Sequence, residues 1–385
     1  MTFNFDMVSD RFSSESIKWH KYGSDILPLW VADMDFKSPN EVVDALQRRV
    51  AHGIYGYGVE LPDLKKAIVE RMWKKYQWSI IPEDIVFLPG VIRGFNLACQ
   101  AVGKPGGNVL VQTPVYPPIL YAPENAGLGR KDVGFRRSEN GSYILDQNDF
   151  SGAIDERTCL FILCNPHNPI GHVFSRSELE TMAEICLENE IVICSDEIHA
   201  ELLYPGYVHH PIASLDNKIA QKTITLSAPS KTFNLAGLDF SFAVIQNGEL
   251  RNSFIKSMKG LVGGVNILGQ VAAMAAYEHG DPWLEALLNY LDENRHYLIE
   301  FLSKNLPKIH VTLPEATYLA WLDCREMKLT PNPFQFFIDH AKVALWKGED
   351  FGKGGEGHVR INFGCPRKIL EDALTRMYAA IEKAS

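Results

Sequence analysis

The sequence predicts an α/β protein, with a large domain built on a mainly parallel sheet flanked by helices and a smaller α+β domain behind it. Three observations carry this. Short apolar runs bounded by turn residues alternate with helical segments through the middle of the chain, the texture changes after about residue 275, and 385 residues are more than one compact core usually serves. DIVFLPG (84–90) reads as a buried strand, and the helical stretch RGFNLACQAVG (93–103) follows it. NVLVQTP (108–114) has the form of a second strand and CLFILC (159–164) of a third. SRSELETMAEICLENE (175–190) opens on Ser175 three residues before Glu178, a capping box, and continues at helical spacing. IVICSD (191–196) and TITLS (223–227) complete the series. Strands separated by helices pair in parallel. Beyond residue 275 a long helical segment (284–306) leads into shorter strands at YLAWLD (318–323) and HVRINF (358–363), then a closing helix. The expected division is an N-terminal arm with part of the small domain over 1–45, the large domain over 46–275 and a small C-terminal domain over 276–385.

Composition narrows the partners. The net charge is −9 and the pI about 5.8, with Lys and Arg scattered among acids, which argues against nucleic acid or acidic lipid and for a small-molecule substrate. The amino terminus, MTFNFDMVSDRF, carries Asp6 and Asp10 and lacks a basic segment followed by an apolar run. No stretch of 18 apolar residues occurs, so a soluble, cytoplasmic protein is expected. The seven cysteines are an odd count, and Cys159, Cys164, Cys186 and Cys194 sit in apolar runs as reduced core thiols do.

In open α/β sheets ligands bind beyond the carboxyl ends of the strands. Gly90 follows the first strand here, Tyr116 the second, Asn168 the third, Asp196 the fourth and Lys231 the fifth. Each has an ordinary reading. Lys231, in SAPSKTFNLAG, could lay its stem on apolar surface with its charge in water, or lose pKa by desolvation and become a nucleophile towards a carbonyl compound. Asp196 could cap a helix or hold a pyridine nitrogen protonated. Gly90, Val91 and Ile92 form a common turn before a helix, and also offer backbone N–H groups and a positive dipole end to a phosphate. Tyr116 could pack or stack on a ring, and Asn168 could belong to a turn or donate to a ring oxygen. Met together at five successive strand ends, these types fit pyridoxal 5'-phosphate, whose aldehyde takes a lysine, whose ring nitrogen takes an acid and whose phosphate takes an anion site.

Two features are set aside. GKGGEG (352–357) has the spacing of a dinucleotide loop but precedes a strand and leaves too little chain for a βαβ unit, so it is expected to be a loop near the site. His167, His172, His209 and His210 have no cysteine or carboxylate at metal-ligand spacing, and solvated or hydrogen-bonded histidines are expected.

NPHNPIG, SDEIH and SAPSKTFNLAGL, in this order and spacing, resemble the fold-type I pyridoxal-phosphate enzymes of the class I/II aminotransferase family, along almost the whole chain. KWHKYG (18–23), LPLWVADMDF (27–36), TPVYPP (113–118), EATYLAWLD (315–323) and HVRINFGCPR (358–367) are similar to its MalY/PatB-type C–S lyases, or cystathionine β-lyases. The resemblance implies that Lys231 is the cofactor-bound lysine, Asp196 the pyridine-nitrogen partner, Asn168 a donor to the ring oxygen and substrate carboxylate, and Tyr116 the stacking ring. It implies that Arg360 takes the substrate's α-carboxylate as a bidentate pair. It also implies a homodimer with shared sites, in which Tyr55 reaches the phosphate of the neighbouring subunit. Two departures stand out. Asp239 occupies the position, eight beyond the lysine, where many aminotransferases carry a phosphate-clamping arginine, and Ala228 stands three before the lysine. Phosphate binding must then lean on the helix start, Ser230 and the neighbour's Tyr55. His199 replaces the usual tyrosine three after the aspartate and could bond the ring oxygen or Asp196.

Three functions share this reading. The first is a C–S β-lyase cleaving L-cystathionine, L-cysteine or a related S-conjugate to pyruvate, ammonia and a thiol; the second is an amino-acid aminotransferase; the third is a regulatory binding protein on the same fold. The first two use the same residues, and only the resemblance separates them.

Overall fold

A computed structural model describes residues 3–138 and 143–384. Seven strands form the main sheet: β1 (Ile85–Leu88), β2 (Asn108–Thr113), β3 (Gly129–Gly134), β4 (Thr158–Cys164), β5 (Val192–Asp196), β6 (Thr223–Ser227) and β7 (Ser241–Val244). Their order is β1-β7-β6-β5-β4-β2-β3. All neighbours are parallel except β7, which runs against both β6 and β1. The five strands expected from apolar runs lie within two residues of their expected bounds. β3, at one edge of the sheet, was invisible to hydropathy because GRKDVG buries only Val133 and leaves its charged residues towards solvent, whereas β1 at the other edge is buried throughout. The central strands are buried on both faces, which is why they read as continuous apolar runs.

Helix α1 (Val91–Val102) starts two residues earlier than its apolar spacing suggests. It lies tight against the sheet because position 94 is glycine; a Cβ there would stand 2.7 Å from a Leu226 methyl and 3.2 Å from Leu88. Helix α2 (Arg176–Glu188) opens on the expected Ser175/Glu178 capping box.

A second, antiparallel sheet joins β8 (His310–Val311), β9 (Leu319–Asp323), β10 (Trp346–Lys347) and β11 (His358–Asn362) in the order β8-β9-β11-β10. The long helix α3 (Asp281–Asn305) precedes it, and α4 (Arg367–Ala384) closes the described chain. No described helix is long and apolar enough to cross a membrane.

The N-terminal arm ties the two sheets together. Leu27–Pro28 pairs in parallel with Val343–Ala344. Lys18, wholly buried, donates to Asp35 Oδ2 at 2.6 Å, and Arg11 and the Trp19 indole reach Asp35 Oδ1 at 2.9 Å each. Burial alone would lower the Lys18 pKa, but Asp35 and Asp33 outweigh it and raise it, so the ammonium stays charged in the core. Asn234, just past Lys231, bonds Met34 and Phe36 backbone carbonyls at 2.9 and 2.8 Å. Together these contacts fix the backbone of residues 30–36 over the end of the main sheet.

The histidines answer individually. His172 sits between Glu315 (2.8 Å) and Glu178 (3.5 Å); burial pulls its pKa down, but the two carboxylates win and hold it at about 9. His209 is buried and bonds Glu197 at 2.9 Å. His167 departs from the expectation: it is fully buried, neither ring nitrogen finds a hydrogen-bond partner among the described residues, its ring packs edge-on against Phe135 at 4.8 Å, and burial drives its pKa down to about 3. A neutral imidazole between aromatic rings serves there as an apolar body.

Candidate active site

All five strand ends converge on one cleft through their named residues, Gly90, Tyr116, Asn168, Asp196 and Lys231. Its lining includes Gly90, Val91 and Ile92 after β1, Tyr116 after β2, Asn168 after β4, Asp196 and His199 at and after β5, and Ser230 and Lys231 after β6. The convergence is a product of topology, since parallel strands all end on the same side.

Lys231 sits in the short helix Pro229–Thr232, and its Nζ donates to the Ala32 carbonyl at 2.6 Å. The Tyr318 hydroxyl donates to the same carbonyl at 3.0 Å. Burial brings the Lys231 ammonium down to about 8; Asp33 pushes the other way and Arg360 adds to the lowering. The lysine is therefore desolvated, not snorkelling. Asp196 is the last residue of β5, with Oδ1 accepting from the Ile198 N–H at 3.2 Å. Burial pushes its carboxyl up to about 7, with Lys231 opposing. An acid and an amine thus face one cleft with pKa values drawn towards each other by the same dehydration. His199 is buried and held neutral by that dehydration; its Nδ1 has no hydrogen-bond partner among the described residues.

Arg360, on β11, is fully buried against the other side of Asn168. One terminal nitrogen donates to Asn168 Oδ1 at 2.8 Å, the other to the Trp30 carbonyl at 2.7 Å, and Nε is unpartnered among the described residues. Burial pulls even this guanidinium down to about 9. A buried cation without a carboxylate is costly, and an incoming anion would relieve that cost.

The glycine turn needs one correction. Gly90, with φ of +116°, does not hold a free N–H for an anion, because that group donates to the Ser241 hydroxyl at 3.0 Å and Ser241 in turn donates to the Leu88 carbonyl. The first-turn N–H groups at Val91 and Ile92 remain. Asp239 lines the cleft in the left-handed conformation (φ 48°), so the departure from arginine lies on the cleft wall itself. Sequence reasoning passed over Arg93, which also lines the cleft. A cation in the first turn of a helix works against the dipole, and that was its available signal. Ala32 and Tyr318 were likewise unassigned, although both lie in the motifs LPLWVADMDF and EATYLAWLD. Tyr55 is not among the lining residues; it is 59% exposed and its hydroxyl donates to the Val50 carbonyl at 2.8 Å. GKGGEG precedes β11 and packs close by: a Cβ on Gly352 would stand 3.1 Å from Leu120, and Phe351 O accepts from the Val115 N–H at 2.9 Å.

The family model for aminotransferases of class I and II matches residues 24–377. The chain belongs to that family. It is 40% identical to cystathionine beta-lyase PatB of Bacillus subtilis over 98% of this chain and 100% of the relative. Its fold superposes on cystalysin of Treponema denticola, a structure containing pyridoxal 5'-phosphate, with a TM-score of 0.96 and 32% identity over 100% of both chains. An aspartate aminotransferase of Pyrococcus abyssi is more distant, 28% identical over 92% of this chain and 91% of the relative. The protein is thus a fold-type I member.

Proposed function

We propose that the protein is a pyridoxal 5'-phosphate-dependent C–S β-lyase that cleaves L-cystathionine, L-cysteine or related S-conjugates to pyruvate, ammonia and a thiol. The observation that carries this is a half-buried lysine whose ammonium is brought down to about 8 and a buried aspartic acid facing the same cleft, in a chain 40% identical over its length to a cystathionine beta-lyase.

The donor set fits the cofactor. Of the residues lining the cleft, Lys231 would meet the aldehyde, Asp196 the ring nitrogen, Tyr116 the ring face, and Asn168 and His199 the ring oxygen, while Val91, Ile92, Ser230 and Arg93 would hold the phosphate. Bound there, the cofactor supplies a sink for the electrons left when the substrate's Cα loses a proton. The chain's residues do the rest. Arg360, braced by Asn168 and Trp30, holds the α-carboxylate and so sets which Cα bond faces the base. Lys231, with a pKa near neutrality, takes the Cα proton. Asp196, the buried carboxyl at the end of β5, would hold a proton at the ring nitrogen, whose positive charge would favour the carboxylate that burial alone disfavours. With the proton gone, the thiolate on Cβ can depart.

An aminotransferase would use the same side chains; the lower identity of the aminotransferase relative favours elimination. Purified protein given L-cystathionine with no keto acid is expected to release pyruvate and ammonia continuously. Amino transfer that needs an added keto acid, without pyruvate release, would overturn the lyase reading.

The reading includes a homodimer with shared sites. Ile54, Tyr55, Tyr57 and Val59 all expose large apolar side chains in one six-residue stretch, and Leu261 adds another. So much apolar surface in one short run is what an interface leaves on a lone chain. Tyr55 then belongs to the neighbour's phosphate site, where a lost hydrogen bond to a charged group is worth roughly 1.5–3 kcal/mol. Tyr55→Phe is expected to weaken cofactor retention about ten- to a hundredfold, read by dialysis and absorbance. Retention within twofold of wild type removes Tyr55 from that site.

A further inference from the structure

Tyr318 takes part in none of the chemistry proposed above, yet a strained stretch of backbone places its hydroxyl. The residue is 1% exposed and stands just before β9, where its carbonyl accepts from the Phe363 N–H at 2.9 Å. Thr317, immediately before it, has φ of +70°, a region that β-branched residues rarely enter. Thr317 is held there by its own N–H on the Leu202 carbonyl at 2.7 Å and by its hydroxyl, which accepts from the Leu319 N–H at 3.1 Å. Strain of this kind persists only where surrounding bonds over-determine it, and it collects at functional sites.

The Tyr318 hydroxyl ends on the Ala32 carbonyl at 3.0 Å, the oxygen that also accepts from Lys231 Nζ at 2.6 Å. Ala32 lines the cleft and Tyr318 does not. The neighbouring carbonyls are committed elsewhere, Trp30 to Arg360, and Val31 and Asp33 to Asn362 Nδ2 at 2.7 and 2.6 Å. The Ala32 oxygen therefore has a fixed direction, and two donors share it.

We propose that Tyr318 is a positioning residue for Lys231: its hydroxyl fixes the Ala32 oxygen as a rest for the amine and takes part of that oxygen's accepting power, so that Lys231 is aimed into the cleft without being locked in its charged form. The proposal rests on the reading of Lys231 as the group that meets the aldehyde. A hydrogen bond to an ammonium favours the charged form, and a carbonyl shared between two donors favours it less than a carbonyl given over to one. The other groups facing Lys231 are Asp33 before β1, Arg360 on β11, Tyr116 after β2, and Asp196 and His199 at and after β5. Tyr318→Phe leaves all of them in place.

The test follows the rate at which cofactor-free protein captures pyridoxal 5'-phosphate, across pH, in wild type, Tyr318→Phe and Tyr204→Phe. Only the neutral amine condenses with the aldehyde, with loss of water, so the midpoint of the profile reports the amine rather than the fold. Tyr204 is a buried control, whose hydroxyl donates to the Thr317 carbonyl at 2.6 Å; the bond is of the same kind but touches neither Ala32 nor Lys231. Tyr318→Phe keeps the ring and is expected to move the midpoint up by about half a pH unit, slowing capture at pH 7 about threefold. Tyr318→Met, whose flexible chain fills the space differently, carries the same expectation. Tyr204→Phe is expected to leave the midpoint where it is. An unchanged or lowered midpoint in the Tyr318 variants, or an equal rise in Tyr204→Phe, overturns the role. A wild-type adduct that maps to a lysine other than Lys231 overturns the underlying reading instead, and is seen without any variant.

Discussion

Replacing Lys231 by alanine is expected to lower turnover by roughly three orders of magnitude or more, because on the proposed mechanism one substitution would remove both the covalent anchor and the base. The fold should survive it, since the side chain makes a single hydrogen bond, to the Ala32 carbonyl. The same lysine gives a pH signature in the cofactor-free protein. Only the neutral amine condenses with an aldehyde, and burial has brought its pKa from 10.5 to about 8. The rate at which cofactor-free protein captures pyridoxal 5'-phosphate should therefore rise with pH up to about 8 and level off above it. An exposed lysine would show a rate still climbing near pH 10. Borohydride reduction of the loaded protein followed by tryptic mapping should place the modified residue at Lys231. Turnover of Lys231→Ala within tenfold of wild type, or an adduct on another lysine, would remove Lys231 from the centre of the chemistry.

How much of this was legible follows from what kind of signal each residue leaves. Strands buried on both faces announce themselves by apolar runs, so β2, β4, β5 and β6 were readable, and with them the strand ends where Tyr116, Asn168, Asp196 and Lys231 stand. Edge strand β3 left no such signal because its side chains face water. The antiparallel β7 is short, and its functional consequence, a Ser241 hydroxyl that consumes the Gly90 N–H, depends on register rather than local pattern. Arg360 could be matched by motif, but that Asn168 and the Trp30 backbone brace it spans separations of 192 and 330 residues. Ala32 presents the same difficulty, because what meets Lys231 there is a backbone carbonyl, which carries no residue identity. Local periodicity finds elements and their ends; contacts made by backbone or across the two sheets need the fold.

Asp196→Asn is expected to separate function from stability in opposite directions. The substitution keeps shape and keeps an oxygen to accept from the Ile198 N–H, so packing is undisturbed. What it removes is charge. With cofactor bound, the ring nitrogen would on the proposed reading lose the partner that holds its proton, and the electron sink would weaken. Exchange of the Cα hydrogen with solvent deuterium, followed by NMR on L-alanine, which lacks a leaving group, should slow about a hundredfold or more. In cofactor-free protein the sign reverses. Burial raises the Asp196 pKa from 3.8 to about 7, so the folded state holds a proton that the unfolded state releases, and stability falls as pH rises from about 4 to 7. Above pH 7 the accumulated loss is on the order of 4 kcal/mol, an upper figure because Lys231 shares the cleft. Asparagine has no proton to lose. The cofactor-free variant should therefore unfold at a higher temperature than wild type at pH 7.5 and show no such gain at pH 4. A residue kept for packing alone would lose stability on substitution and leave the exchange rate in place. A carboxylate that lowers the stability of the empty protein and accelerates Cα exchange in the loaded one is kept for the ring nitrogen, and an unchanged exchange rate in Asp196→Asn would sink that assignment.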